Sequence, residues 1–114
     1  MREKAIREFT RLLDIMDELR MKCPWDMKQT NQTLRKLTIE ETYELADAII
    51  LDDNEGIRKE LGDLLLHVAF YAKIGSEKGL FDIADVLEGI NNKLVYRHPH
   101  VFGDVNVTRG AREV

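Results

Sequence analysis

Glu40-Glu41-Thr42-Tyr43-Glu44, answered sixteen residues after Glu44 by Glu60-Leu61-Gly62-Asp63, is the stretch on which the fold turns. Glu41 and Glu44 are three residues apart, as are Glu60 and Asp63, and that spacing sets each pair on one side of an α-helix. At the α-helical rotation, Glu41 and Glu44 fall in a stripe with Leu34, Leu37, Leu45 and Ala48, and Glu60 and Asp63 in one with Ile57, Leu64 and Ile74. Both stripes are expected to face a core. Four inward carboxylates cannot all stay ionised at close quarters, because desolvation and mutual repulsion raise their pKa values unless a cation compensates them. Oxygen-only ligation selects a hard cation, Mg²⁺ or alternatively Mn²⁺, over Zn²⁺. Mg²⁺ retains positions for water and substrate phosphates, so the pattern points to phosphate chemistry. The competing reading of each pair is a solvated helix face. It weakens here because the acids lie in line with leucines.

A length of 114 residues implies one domain whose small core would gain from self-association. With 17 basic and 21 acidic residues the net charge is −4, which gives no general electrostatic attraction for a nucleic-acid polymer or a membrane surface. A single cysteine permits no internal disulfide, and the amino terminus, Met1-Arg2-Glu3-Lys4, is charged where a signal peptide is apolar. The longest apolar run, from Leu64 to Ala72, is interrupted by His67 and too short to span a bilayer. A cytoplasmic protein is expected.

Outward from the acids, the chain reads as four helices. Ile6, Phe9, Leu12, Leu13, Met16 and Leu19 recur at three- and four-residue steps, predicting an amphipathic helix from about Glu3 to Met21. Pro24 breaks it, and a loop is expected to about Asn31. Thr30 or Asn31 can cap the second helix, which runs to about Leu51 and carries an additional apolar face of Ile39, Tyr43, Ala46 and Ile50. A face of that kind calls for a cover, such as a second subunit. Asp52-Asp53-Asn54 offers the cap for a third helix, from about Glu55 to Lys78. The connection is short enough to make the two acid-bearing helices antiparallel neighbours. Asp82 can cap a fourth helix with Ile83, Val86, Leu87, Ile90 and Leu94 on its inner side, ending near Arg97 because Pro99 follows. Lys93 and Arg97, four residues apart, reach one site or else complement the helix dipole.

Glu40-Glu41-x-x-Glu44 with Glu60-x-x-Asp63 resembles the signature of the MazG family of all-α nucleoside triphosphate pyrophosphohydrolases. Cys23-Pro24-Trp25-Asp26, the Glu60-Leu61-Gly62-Asp63-Leu64-Leu65 context and Arg97-His98-Pro99-His100-Val101-Phe102-Gly103 also resemble the family, in the same order. The resemblance covers about residues 10 to 104. It implies an all-α, four-helix bundle-like domain over residues 1–104, dimerising through its helices, with a polar tail over 105–114 that is poorly ordered or truncated. It also implies a house-cleaning enzyme that uses Mg²⁺ to hydrolyse a (deoxy)nucleoside triphosphate to the monophosphate and pyrophosphate. Carried over by position, Glu41, Glu44, Glu60 and Asp63 are the metal ligands, and Glu40 and Glu41 the catalytic acids, with Glu40 set to take the proton of the attacking water. Asn91, Lys93 and Arg97 match the phosphate- and nucleotide-contacting run. The partners implied are the nucleotide and a second copy of the chain, or a higher homo-oligomer. Two other readings stay open: a non-catalytic or weakly active helical dimerisation domain of a two-domain protein, and a phosphoribosyl-nucleotide pyrophosphohydrolase with the same metal site.

The remaining residues divide less sharply. Trp25 either stacks on a nucleobase, as a fourth substrate contact, or anchors its loop on the core, and anchoring is the commoner use. Cys23 reads as a small buried apolar residue, since no activating base is recognisable near it in the sequence. His67, one turn after Asp63, reads as a packed, hydrogen-bonded histidine. His98 and His100 flank the Pro99 that ends the fourth helix.

Overall fold

The computed structural model describes residues 1–103, and the tail expected over 105–114 lies outside them. Four long helices form, all within two residues of their sequence expectation: α1 (Arg2–Lys22), α3 (Asn31–Ile50), α4 (Asn54–Glu77) and α5 (Ile83–Arg97). The architecture is all-α. Two single turns are added to these, α2 (Pro24–Met27), where a loop was expected, and α6 (Pro99–Phe102), after the expected end of the fourth helix. Both begin on a proline at the first helical position, where the missing N–H is no loss and the fixed φ is already helical. Proline therefore ends one helix and starts the next.

The helix boundaries follow from capping. Thr30 and Thr33 form a reciprocal capping box at the start of α3, with Thr33 N–H to Thr30 Oγ1 at 3.2 Å and Thr30 N–H to Thr33 Oγ1 at 2.8 Å. The α3–α4 connection is three residues long. Asp52 adopts φ 54°, a left-handed conformation that aspartate tolerates better than most residues, and the N–H groups of Asp52 and Asp53 bond back to Ile49 and Ala48. Asp53 then turns from closing α3 to opening α4, accepting from Gly56 N–H at 3.0 Å.

The chain divides into two units, Met1–Leu80 and the remainder from Phe81. In the first, Met16 of α1, Leu34 of α3 and Phe70 and Ile74 of α4 form the buried core, with Leu66 and Tyr71 packed against it. The inner face of α3 is narrower than its sequence stripe. Leu34, Glu41 and Ala48 are buried and Thr38 and Leu45 half-buried, whereas Leu37 is 39% exposed and Glu44 is exposed. On α4, Ile57, Glu60, Leu64, His67 and Tyr71 are half-buried and Ile74 buried, while Asp63 stands at the exposed edge. Both sets advance in alternating steps of three and four, the heptad spacing of an antiparallel helical seam. Across it, the Thr38 hydroxyl of α3 hydrogen-bonds with His67 and Tyr71 of α4, and Glu41 meets Glu60 and Asp63. The additional apolar face of α3 lies exposed, with Tyr43 and Ile50 at 68% and 79%.

Helix α1 runs alongside α4 in the same direction, since Asp17 meets Lys73 and Arg20 meets Glu77. Arg20, 14% exposed, does more than pair. Its guanidinium makes a fork on the Glu77 carboxylate at 2.8–3.1 Å, and its Nη1 donates to the carbonyls of Asp26 (2.7 Å), Met27 (3.2 Å) and Gln29 (2.9 Å). The same group lies 5.7 Å from the Phe70 ring centroid. One side chain thus ties α1, the α2 turn and the end of α4 together, and it holds the Glu77 carboxyl below its ordinary pKa.

In the second unit, α5 opens on an Asp82–Asp85 capping box, and α6 packs against its end. Val86, Leu87, Ile90 and Leu94, expected on an inner side, are exposed, and Ile83 is half-buried. Among the described residues no helix is long and apolar enough to cross a membrane.

Arg20→Ala should destabilise the protein by about 2 kcal/mol, the cost of leaving the Glu77 carboxylate and the part-buried loop carbonyls without their donor. Arg20→Lys should recover little of this, because an ammonium cannot reproduce the planar fork. Urea denaturation of the two variants checks both expectations.

Candidate metal and nucleotide site

Glu41 projects from the seam face of α3 and Glu60 from that of α4, with Asp63 one turn further along. Each contributes a carboxylate oxygen to a group in which all three lie within 4.8 Å of one another. Glu41 is 8% exposed, and its Oε2 is buried with no hydrogen-bond partner. Glu60 is half-buried and Asp63 exposed, so the cluster grades from the packed seam to solvent.

The electrostatics follow from the placement. Burial pushes the Glu41 carboxyl up to about 7, helped by the hydrogen-bonding Glu60 side chain and by the charges of Asp63, Glu60 and Glu44. Glu44 contributes through this field but lies outside the three-oxygen group. The donor set fits a hard divalent cation. It is all oxygen, it offers three carboxylates, and it contains a buried lone-pair atom that nothing in the protein satisfies. A cation held by so few protein ligands keeps positions for water or phosphate oxygens.

The other expected site residues are placed as follows. Glu40 is exposed on α3, adjoining Glu41 in sequence. Asn91, Lys93 and Arg97 lie on α5 in the second unit; Asn91 and Lys93 are exposed and Arg97 half-buried. Trp25 is 65% exposed on the α2 turn, which overturns its reading as a core anchor. It sits outside the core because the turn that carries it is held by Arg20 through backbone carbonyls, with no need of an aromatic plug. Cys23 is half-buried at the extended residue before Pro24. His98 Nδ1 donates to the Leu94 carbonyl at 2.7 Å, closing the end of α5.

His67 is hydrogen-bonded, as its sequence position led us to expect, with Nδ1 2.9 Å from Thr38 Oγ1. Sequence reasoning missed two participants, Thr38 and Tyr71, whose hydroxyls meet at 2.6 Å. The available signal was positional: Thr38 lies one turn before Glu41, and Tyr71 one turn after His67.

Residues 29–102 match the MazG nucleotide pyrophosphohydrolase domain, a segment that holds all the acids of the cluster. The chain belongs to the MazG family. It is 49% identical over 102 residues to the nucleoside triphosphate pyrophosphohydrolase of Escherichia coli (strain K12), an alignment covering 87% of this chain and 39% of that protein. The nucleoside triphosphate pyrophosphohydrolase/pyrophosphatase MazG of Thermotoga maritima is 49% identical over 98 residues, covering 84% and 38%. The uncharacterized protein YabN of Bacillus subtilis is 51% identical over 102 residues, covering 88% and 21%. The chain thus spans well under half the length of these relatives. Among solved structures, the crystal structure of a mazG-related protein from Thermotoga maritima superposes with a TM-score of 0.76 at 25% identity, covering 90% of this chain and 92% of that one.

Because folding raises the Glu41 pKa, the folded state binds more protons than the unfolded one between the ordinary carboxyl value of 4.5 and about 7. Metal-free stability should therefore fall as pH rises through that window and level off above it. Glu41→Gln should flatten the fall. Melting curves across pH with a chelator present check the sign, and added divalent cation should raise the parent's curve most at the alkaline end, where no proton competes.

Proposed function

We propose that this chain hydrolyses (deoxy)nucleoside triphosphates to the monophosphate and pyrophosphate in the presence of Mg²⁺. The observation that carries the reading is the buried, unpartnered Glu41 Oε2 amid the Glu60 and Asp63 oxygens, in a chain of the MazG family. Glu41, Glu60 and Asp63 would hold the ion, with Glu44 as a fourth ligand from the exposed edge; Mn²⁺ has the same ligand preference. When bound, the ion supplies positive charge that offsets charge developing on the polyphosphate.

The chain's own residues divide the remaining work. Glu40, solvated and next to the cluster, accepts a proton from water as the water oxygen bonds to the α-phosphorus. The bond from that phosphorus to the oxygen bridging to the β-phosphorus breaks, and the electron pair leaves with pyrophosphate. Lys93 and Arg97, sharing one side of α5, neutralise phosphate oxygens, with arginine suited to a bidentate grip. Asn91 hydrogen-bonds the nucleotide. Trp25, exposed on a turn fixed by Arg20, offers a face on which a base can stack.

The functional unit of this proposal is at least a homodimer in the cytoplasm. The exposed Ile39, Tyr43 and Ile50 on α3 support self-association, because a solvated apolar face of this size gains from a cover. That face also favours the second reading, a weakly active or non-catalytic dimerisation domain within a longer protein.

With Mg²⁺ and a panel of nucleoside triphosphates, pyrophosphate should appear as the first product. Glu41→Gln should keep the fold and lose more than about 100-fold in turnover, beyond the range expected for an outer-shell partner. Orthophosphate as first product, or full turnover in a well-folded Glu41→Gln variant, would overturn the proposal. The dimerisation reading predicts no release above background. Sedimentation at micromolar concentration should show a dimer or larger species, and Tyr43→Glu should shift it toward monomer.

A further inference from the structure

Thr38 Oγ1 stands within hydrogen-bond distance of three groups: the Leu34 carbonyl oxygen at 3.1 Å, His67 Nδ1 at 2.9 Å and the Tyr71 hydroxyl at 2.6 Å. A carbonyl only accepts, and a threonine hydroxyl has one proton and two lone pairs. With that proton given to Leu34, both other contacts must be donated to Thr38, by Nδ1–H of His67 and by O–H of Tyr71. Every participant is then satisfied. His67 is held with its proton on Nδ1, and one hydroxyl of α3 takes two donors from α4.

The position of this knot matters more than its strength. Thr38 lies one turn before Glu41 on the seam of α3, and His67 one turn after Asp63 on α4, so the knot is the level of the hairpin next to the acid cluster. At the cluster itself Glu41, Glu60 and Asp63 bring carboxylate oxygens within 4.8 Å of one another, and their mutual repulsion when ionised opposes the pairing of α3 with α4. On the other side of the acids the seam residues Leu45, Ala48 and Ile57 are all apolar. Among the described residues the knot is thus a polar tie between α3 and α4 that lies outside the carboxylates and next to them.

We infer that Thr38, joined to His67 and Tyr71, is a positioning residue that sets the α3–α4 separation at which Glu41, Glu60 and Asp63 converge on one cation. The inference rests on the metal reading proposed above and extends it to residues that never touch the ion. Hydrogen-bonded partners that orient ligands change metal affinity by about 10–100-fold when removed.

The test is Mn²⁺ binding to the nucleotide-free protein, followed by electron paramagnetic resonance at a pH above the Glu41 titration, with ¹⁵N NMR of the His67 ring as a second readout. Thr38→Val keeps the shape and removes the hydroxyl. It should weaken Mn²⁺ binding about 10-fold or more and release His67 from the Nδ1–H tautomer, and Thr38→Ser should restore both. If Thr38→Val lowers the melting temperature while the folded protein binds Mn²⁺ as the parent does, the hydroxyl is merely structural and the inference fails. Should Thr38→Val not fold, His67→Leu removes the same tie from α4, and His67→Asn, which keeps a donor near the Nδ1 position, should rescue binding. A parent protein that binds no Mn²⁺ refutes the metal reading and this inference with it, whereas equal affinities in parent and variant refute this inference alone.

Discussion

A carboxyl group held inside a helical seam is the constraint from which the rest of this structure can be understood. Glu41 occupies a position that packing would give to leucine, with one oxygen unpartnered and two further carboxylates within 4.8 Å. Left ionised and uncompensated, it would oppose the pairing of α3 with α4. Burial, with the neighbouring carboxylates, pushes the Glu41 carboxyl up to about 7, so without a cation it holds its proton to higher pH than an ordinary glutamate does. Everything that holds α3 against α4 therefore works partly against this one residue.

What holds them is distributed along the hairpin. At the closed end Asp53 terminates α3 and starts α4, so the two helices cannot change register without losing both caps. Toward the open end Leu34 packs into the core with Met16, Phe70 and Ile74, and α1 is locked alongside by Arg20 and Asp17. Between these anchors lie the Thr38–His67–Tyr71 knot and the acids. The most polar part of the seam is thus flanked by a capped turn on one side and the apolar core on the other. Stability elsewhere sustains a local unfavourable term at the site, a trade that functional sites commonly make.

The features legible in the sequence were those written as periodic or capping patterns. The four long helices, the capping roles of Thr30, Asp53 and Asp82, and the convergence of Glu41 with Glu60 and Asp63 all follow from short-range chemistry. Helical-wheel reasoning drew the inner stripe of α3 too wide. It included Leu37 and Glu44, whereas a two-helix seam buries only the heptad positions Leu34, Thr38, Glu41, Leu45 and Ala48. The role of Arg20 was invisible because its partners in the α2 turn are backbone carbonyls, which leave no mark on residue type. For the same reason Trp25 was read as an anchor when the anchor is Arg20. Thr38 escaped notice because a lone threonine on a helix usually bonds back to its own turn, and here it does that and more.

The gradation of burial across the cluster bears on what kind of ion the chain can use. Glu41 is buried, Glu60 half-buried and Asp63 exposed, so an ion among them would be gripped from one side and open on the other. A closed structural site would present four protein ligands in a fixed cage. Here the exposed side faces solvent, which would leave a bound cation positions for water. Neither His67, tied to Thr38 through Nδ1, nor Cys23, before the α2 turn, belongs to the cluster, so its donors are carboxylate oxygens. The three carboxylates are therefore consistent with a divalent cation held from one side. A cation bound there would link occupancy to helix packing, because offsetting the charge on buried Glu41 would strengthen the same seam that positions it.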